Sequence, residues 1–316
     1  MLDIPASWIE WLVAAIANGP WFEETFLTHP DNVRGLLATL LVCFICGAMG
    51  SQVVGNRMAF FSDALAHCAF AGVGLGLLMS FAAGTEGVPD EVIQQRITLI
   101  MVVFGIIVGL LIAFVREKTG LASDTVIGVF FAGSVGLGAV FTRMVAGLGR
   151  RFFNVEDFIF GNPTSVRPEE VVVLIGLAIV NAIFLCTMYN WMIMASASPS
   201  LALSRQVPVT LSRYLLIVLL ALLVNLSQQI VGALLINGLL IVPAATAANL
   251  ARNLRQMFWY SIFIALAAGG LGYWLSWEVS CAYFGRFTVG TSGSIVVISV
   301  IFFIISAIIG RFARRA

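Results

Sequence analysis

Charge is scarce in this chain: Asp, Glu, Lys and Arg make up only 10% of its 316 residues, against about a quarter in a soluble domain. A polar shell around a single buried core cannot be built from so few ionic groups, which excludes an ordinary soluble globule. Net charge is +1, so there is no basic surplus with which to bind nucleic acid. No G-x-x-x-x-G-K-[ST] phosphate loop occurs, so if ATP drives this chain another polypeptide hydrolyses it. No H-E-x-x-H motif occurs either, which removes the membrane zinc peptidases. Gly290-Thr291-Ser292-Gly293 resembles the G-x-S-G of intramembrane serine proteases, but no His follows it to serve as base. The opening Met1-Leu2-Asp3-Ile4-Pro5 has no basic n-region, and no cleaved signal peptide is expected.

What the chain has is hydrocarbon. Hydrophobic residues make 60% of it, and mean hydropathy is +1.01. A span needs about 20 mostly apolar residues to cross a ~30 Å hydrocarbon core. Runs of that kind occupy 35–54, 60–82, 97–115, 124–146, 171–192, 214–229, 230–250, 258–276 and 294–310. The sixth and seventh are nearly continuous and Pro243 interrupts the latter, so eight or nine spans are expected, with a bend or re-entrant piece there. Backbone groups at membrane depth must pair internally, and these runs are too long for barrel strands. The fold class is therefore an all-α polytopic transmembrane bundle, surrounded by membrane lipid. With the N-terminus outside and nine spans, Lys and Arg divide ten inside to seven outside, a modest positive-inside bias. Acids such as Asp31, Glu86, Asp90, Glu91, Glu169 and Glu170 then form an outer rim. That rim either concentrates cations or is simply solvated loop.

Cys43, Cys46, Cys68 and Cys186 sit inside apolar runs, where Cys packs as a small hydrophobe. The C-x-x-C at Cys43 and Cys46 lacks the two further ligands of a structural zinc site. Gly72, Gly74 and Gly76, with Gly128, Gly133, Gly136 and Gly138, are expected to let helices approach closely. Residues 4–18 carry Trp8, Ile9, Leu12, Val13 and Ile16 at helical spacing, the pattern of a helix lying along the interface. The stretch 147–170 is too polar to cross and suggests a short helix at the membrane edge.

Ionisable groups inside the bundle are the chemical signal. Asp63 and His67 are four residues apart near the start of the second run, so a helix stacks them on one face. A carboxylate with an imidazole suits Zn, Mn or Fe(II), and such groups in a span face a pathway or a partner. Two readings are open: the pair handles a passing ion, or Ser62 and Asp63 cap the helix while His67 bonds a neighbouring carbonyl. The loop 193–213 contains Ser198, a good N-cap, and Pro199, suited to the first helical position; Pro208 disfavours helix at Val207. A helix of about two turns is expected over Pro199, Ser200, Leu201, Ala202, Leu203, Ser204, Arg205 and Gln206, either inserting into a partner's groove or serving as plain connection.

Four stretches resemble the ABC-3 class of metal ABC importer permeases. Arg57-Met58-Ala59-Phe60-Phe61-Ser62-Asp63-Ala64-Leu65-Ala66-His67 is similar to that family's R-M-[AS]-[FY]-x-G-D-[AT]-L-[AS]-H. Asp124-Thr125-Val126-Ile127-Gly128 is similar to its D-[TA]-x-[IL]-G, and Phe160-Gly161 to its segment before the fifth span. Val231 to Ala247, with Pro243-Ala244-Ala245-Thr246-Ala247 at its end, resembles its V-G-x-L-L-[IV]-x-x-L-L-I-[IV]-P-A-A-T-A. The resemblance runs from about Arg34 to the end. It implies a permease domain over 34–316 with its ATPase-coupling segment at about 193–213, and an extra N-terminal segment over 1–33. It further implies a homodimer in the cell (inner) membrane, cytoplasmic ATPase subunits that use the ATP, and an extracytoplasmic metal-binding protein. No cofactor is held permanently; the divalent ion is cargo. Asp63 and His67 match the family's ion-path residues, the Pro199–Gln206 stretch its coupling helix, and Ser62, Asp124 and Pro243 stand as path or gate candidates. Ser62 replaces a usual Gly, as does Gln206, and Ala132 stands where some zinc members carry His. An ion-coupled secondary transporter and a siderophore or cofactor importer are the alternative classes.

Overall fold

In a computed structural model of the chain, the residues described are 3–17, 26–56, 58–82, 89–147, 161, 166–197, 200, 204–205, 208–282 and 290–313. They are predominantly helical, without a strand among them. In chain order the helices are α1 (Asp3–Ala17), a 3-10 turn at Phe26–Thr28, α2 (Pro30–Gly55), α3 (Phe61–Ala82), α4 (Asp90–Thr119) and α5 (Ser123–Gly147). They continue as α6 (Pro168–Ala197), α7 (Val209–Val231), α8 (Ala233–Leu250), α9 (Leu254–Ala282) and α10 (Thr291–Ala313). Among the described residues nine of these, α2 to α10, are long and apolar enough to cross a membrane. The expected runs coincide with them one for one, and the higher of the two anticipated span counts holds.

Except in α3 and α8, the helix ends lie one to several residues outside the apolar runs, because polar end groups extend those helices. Pro30 opens α2 with Asp31 in its first turn, and Pro168 opens α6, where the Arg167 backbone N–H donates to Glu170 Oε2 at 2.9 Å. Proline without its N–H, and an acid near the positive helix end, both suit a first turn. At the other end of α4, Arg116 and Lys118 sit in the last turn and Gly120 closes it at φ 64°, donating to the Arg116 carbonyl. That is the left-handed stop for which glycine is favoured. Between α7 and α8 stands Gly232 alone, at φ 90° and ψ 156°, so the two apolar runs that nearly fuse in sequence are separate helices.

Two compact units are formed. The first comprises Met1–Gly55, Ile159–Tyr189 and Gln229–Ala316, with α2 at its centre against α8 and α9, and α10 against both of those. Backbones touch there: the Cβ that Gly47 lacks would lie 2.9 Å from Ile262 Cα, and Ser261 Oγ donates to the Gly47 carbonyl at 2.7 Å. Cys43 packs against Gly269, and both Cys43 and Cys46 are buried. The short α1 buries Val13 and Ala17 against Val33 of α2 and leaves Trp8 and Trp11 exposed. Its 15 residues span about 22 Å at 1.5 Å each, too short to cross the hydrocarbon.

The second unit comprises Asn56–Phe158 and Asn190–Gln228. Here α3 lies between α4 and α5. Gly72 and Gly76, one turn apart, face Met101 Cα and Ile97 Cα of α4, while Gly74 faces Phe141 and Gly138 faces the Phe70 ring across the α3–α5 contact. The expectation of close approach holds at these four. It fails at Gly128, Gly133 and Gly136, where an added Cβ would meet nothing within 4 Å: that side of α5 is exposed in the single chain. The expected membrane-edge helix in 147–170 falls mostly on residues outside those described.

Candidate functional site

The first two turns of α3 carry the candidate pair Asp63 and His67. Of residues 61–68 only Asp63 and His67 escape burial; Phe61, Ser62, Ala64, Leu65, Ala66 and Cys68 are all enclosed. The helical repeat puts the two ionisable groups on one stripe, and the apolar residues around them hold that stripe outward. Asp63 Oδ1 and His67 Nε2 are 3.8 Å apart, and their side chains are 43% and 40% exposed. The imidazole also stands edge-on to Phe131 of α5, with ring centroids 4.7 Å apart. An ion could therefore be offered one carboxylate oxygen and one imidazole nitrogen from a single helix, with coordination positions left open for water or for another chain.

The flanking residues divide by face. Ser62 is buried, and its hydroxyl donates to the Ala59 carbonyl at 3.3 Å, so it turns away from the Asp63–His67 stripe. Cys68 is buried with its Sγ 3.0 Å from Ser134 Oγ of α5. On the far side of α3, Gln228 of α7 donates from Nε2 to the Ala66 carbonyl at 3.2 Å. One turn earlier on α7, Asn225 donates to the Ala221 carbonyl of its own helix at 2.6 Å and fills the space that Gly105 of α4 leaves open. These amides were not singled out from sequence. The signal was available: Asn225, Ser227, Gln228 and Gln229 follow an aliphatic stretch over 215–224, and polar groups within a span are costly unless they have a task.

Asp124 is exposed in the first turn of α5, where its charge acts on Arg116 of α4. Nearby in the same unit Tyr214 Oη donates to Glu117 Oε2 at 2.8 Å. Pro243 lies in the other unit, buried within α8; lacking an N–H, it leaves the carbonyl one turn before it without its helical donor. Of the expected docking helix, Ser200 and Ser204 are helical and Arg205 is in a turn, with all three exposed. Pro199, Leu201, Ala202, Leu203 and Gln206 fall outside the described residues. Among the described residues no group of three or more His, Cys, Asp or Glu is close enough to hold a metal ion.

Residues 30–310 match the ABC 3 transport family. The chain belongs to that family. Its relatives include the manganese import system permease protein ScaB of Streptococcus parasanguinis, 28% identical over 284 residues, which cover 89% of this chain and 91% of ScaB. The high-affinity zinc uptake system membrane protein ZnuB of Haemophilus influenzae is 29% identical over 241 residues, covering 75% and 85% respectively. Among solved structures, PsaBC from Streptococcus pneumoniae in complex with Fab superposes with a TM-score of 0.68 at 25% identity, covering 94% of this chain and 95% of that one. As an ABC 3 family member with nine apolar helices of spanning length among its described residues, the chain is a multi-pass membrane protein. Residues 1–29, and with them α1, precede the part that matches.

Proposed function

We propose that this ABC 3 family member is the permease subunit of an ATP-driven importer for divalent transition-metal ions, with Mn²⁺, Zn²⁺ and Fe²⁺ as the candidate cargo. The observation that carries the reading is the Asp63–His67 pair: two ligand types on one exposed stripe of an otherwise enclosed helical segment, 3.8 Å apart. Such a pair replaces part of an ion's water shell without closing around it, and incomplete coordination is what transit demands. Two copies of the chain facing one passage would supply two carboxylates and two imidazoles. A carboxylate contribution favours the harder ions of this series, a cysteine set the softer ones. Cys68 is the cysteine nearest in sequence to the pair, and its sulfur is turned into the contact with Ser134.

ATP is hydrolysed on separate cytoplasmic subunits that dock at the 193–213 segment, and an extracytoplasmic binding protein delivers the ion. Closure of the ATPase pair moves the docking segments and alternates access to the path. Pro243, whose helix lacks one backbone bond, gives α8 a place to flex.

The test is ⁵⁴Mn²⁺ and ⁶⁵Zn²⁺ uptake by cells expressing the chain with its ATPase and binding-protein partners. Asp63→Ala and His67→Ala are each expected to lower uptake by about ten-fold or more, the equivalent of losing about 1.4 kcal/mol of ion stabilisation, at unchanged membrane abundance. Wild-type uptake in either variant would take the pair out of the mechanism.

A further inference from the structure

We infer that Gln228 is a positioning residue for the ion pair: its side-chain amide fixes the rotational setting of α3 through the Ala66 carbonyl, and so sets where Asp63 and His67 present their ligand atoms. The inference rests on the reading of those two residues as the ion's ligands.

Ala66 immediately precedes His67, and its carbonyl already belongs to the α3 ladder. A carbonyl oxygen has a second lone pair, and Gln228 Nε2 uses it at 3.2 Å. The orientation of the amide follows from chemistry, since the opposite one would set two acceptor oxygens against each other. Both residues are 1% exposed, so water does not compete for the bond. Gln228 Oε1 is buried and accepts no bond among the described residues, so the Ala66 contact is the amide's recorded polar bond. An apolar residue of the same length would fill this place in a span without the desolvation penalty, which makes the choice of an amide informative.

The lever is geometric. With side chains, a helix has a radius of about 5–6 Å, so rotation by roughly 10° carries a ligand atom about 1 Å. Functional constellations tolerate only about 0.5 Å. The other buried polar groups in the first two turns of α3 bond elsewhere: Ser62 to Ala59 of its own segment, and Cys68 to Ser134 of α5. Asn225, one turn from Gln228, bonds to its own helix instead and therefore serves as a control of equal burial and polarity.

The measurement is Mn²⁺ uptake by the assembled transporter over a range of ion concentrations, with KM and Vmax separated, together with Mn²⁺ binding to the purified full-length chain followed by the EPR signal of the free ion. Gln228→Met keeps length and bulk but cannot donate. It is expected to raise KM and the Mn²⁺ Kd by about ten-fold, the lower end of what supporting bonds contribute at metal sites, while Vmax stays within about two-fold. Gln228→Asn keeps the amide but is one methylene too short to reach Ala66, and is expected to behave like Gln228→Met; it carries the test alone if the Met variant fails to accumulate. Asn225→Ala is expected to leave KM and Kd unchanged. Wild-type KM in the Gln228 variants overturns the inference, as does an equal rise in Asn225→Ala, which would mark a general packing effect. Asp63→Ala and His67→Ala in the same assay separate the two claims: if they transport normally, the ligand reading itself fails, whereas if they are inactive and the Gln228 variants are normal, only the positioning role does.

Discussion

Asp63, His67 and Cys68 are close neighbours in sequence, yet the helix sends them to different surroundings. The first two stand on a half-exposed stripe, and the third is enclosed against Ser134. This separation yields a test that sequence proximity alone would not suggest. Cys68→Ala should leave the KM for Mn²⁺ unchanged, at a stability cost of about 1 kcal/mol for the lost polar contact and packing, read as a small fall in melting temperature. The Cys68 thiol should also resist maleimide labelling under native conditions. A large rise in KM would mean that the sulfur reaches the ion. The i, i+4 stripe itself was legible because its spacing is a property of any helix. The direction taken by Ser62 was not: a hydroxyl beside a helix start can serve as a cap or bond backward, and its bond to the Ala59 carbonyl depends on the tertiary setting.

For whole elements, close approach at glycine is what seats α3. At Gly138 a side chain would run into the Phe70 ring, whereas at Gly128 it would meet open space. Gly138→Val is therefore expected to cost about 1–3 kcal/mol by overpacking and to lower membrane yield and melting temperature, while Gly128→Val leaves the fold of the single chain intact. A matching loss in both would show that the exposed side of α5 is packed in the assembled protein. The spans were legible from sequence because lipid accepts only long, self-satisfied apolar helices, and the nine runs recur as α2 to α10. Their ends were less so, because polar first and last turns such as Asp90, Arg116 and Lys118 belong to the helix but not to the apolar run. Which glycines make contact was also hidden, since a small residue reads alike whether a neighbour or nothing lies opposite.

As a whole, the molecule commits about two thirds of its length to the spans found among its described residues, and the proposed ATP-driven reading assigns the energy source to a separate polypeptide. Uptake should stop when cellular ATP is depleted with arsenate and persist when an uncoupler collapses the proton gradient. The reverse result would favour an ion-coupled carrier over the ATP-driven reading. The division into two compact units could not be read from hydropathy, because every span looks apolar to its neighbours and the partition depends on which faces meet. Helix α1 lies outside the residues that match the ABC 3 family, and it was visible only as an amphipathic stretch too short to cross.

Gly232 joins two of these spans in a backbone conformation, φ 90° and ψ 156°, that is essentially closed to every residue with an L-configured side chain. Its mirror image lies at the border of ordinary extended chain, so the backbone torsions at this joint disfavour an L-configured side chain by handedness. Gly232→Ala is therefore expected to lower membrane yield and melting temperature, and the link between α7 and α8 is thereby a point where the achirality of a single residue decides the path of the polypeptide.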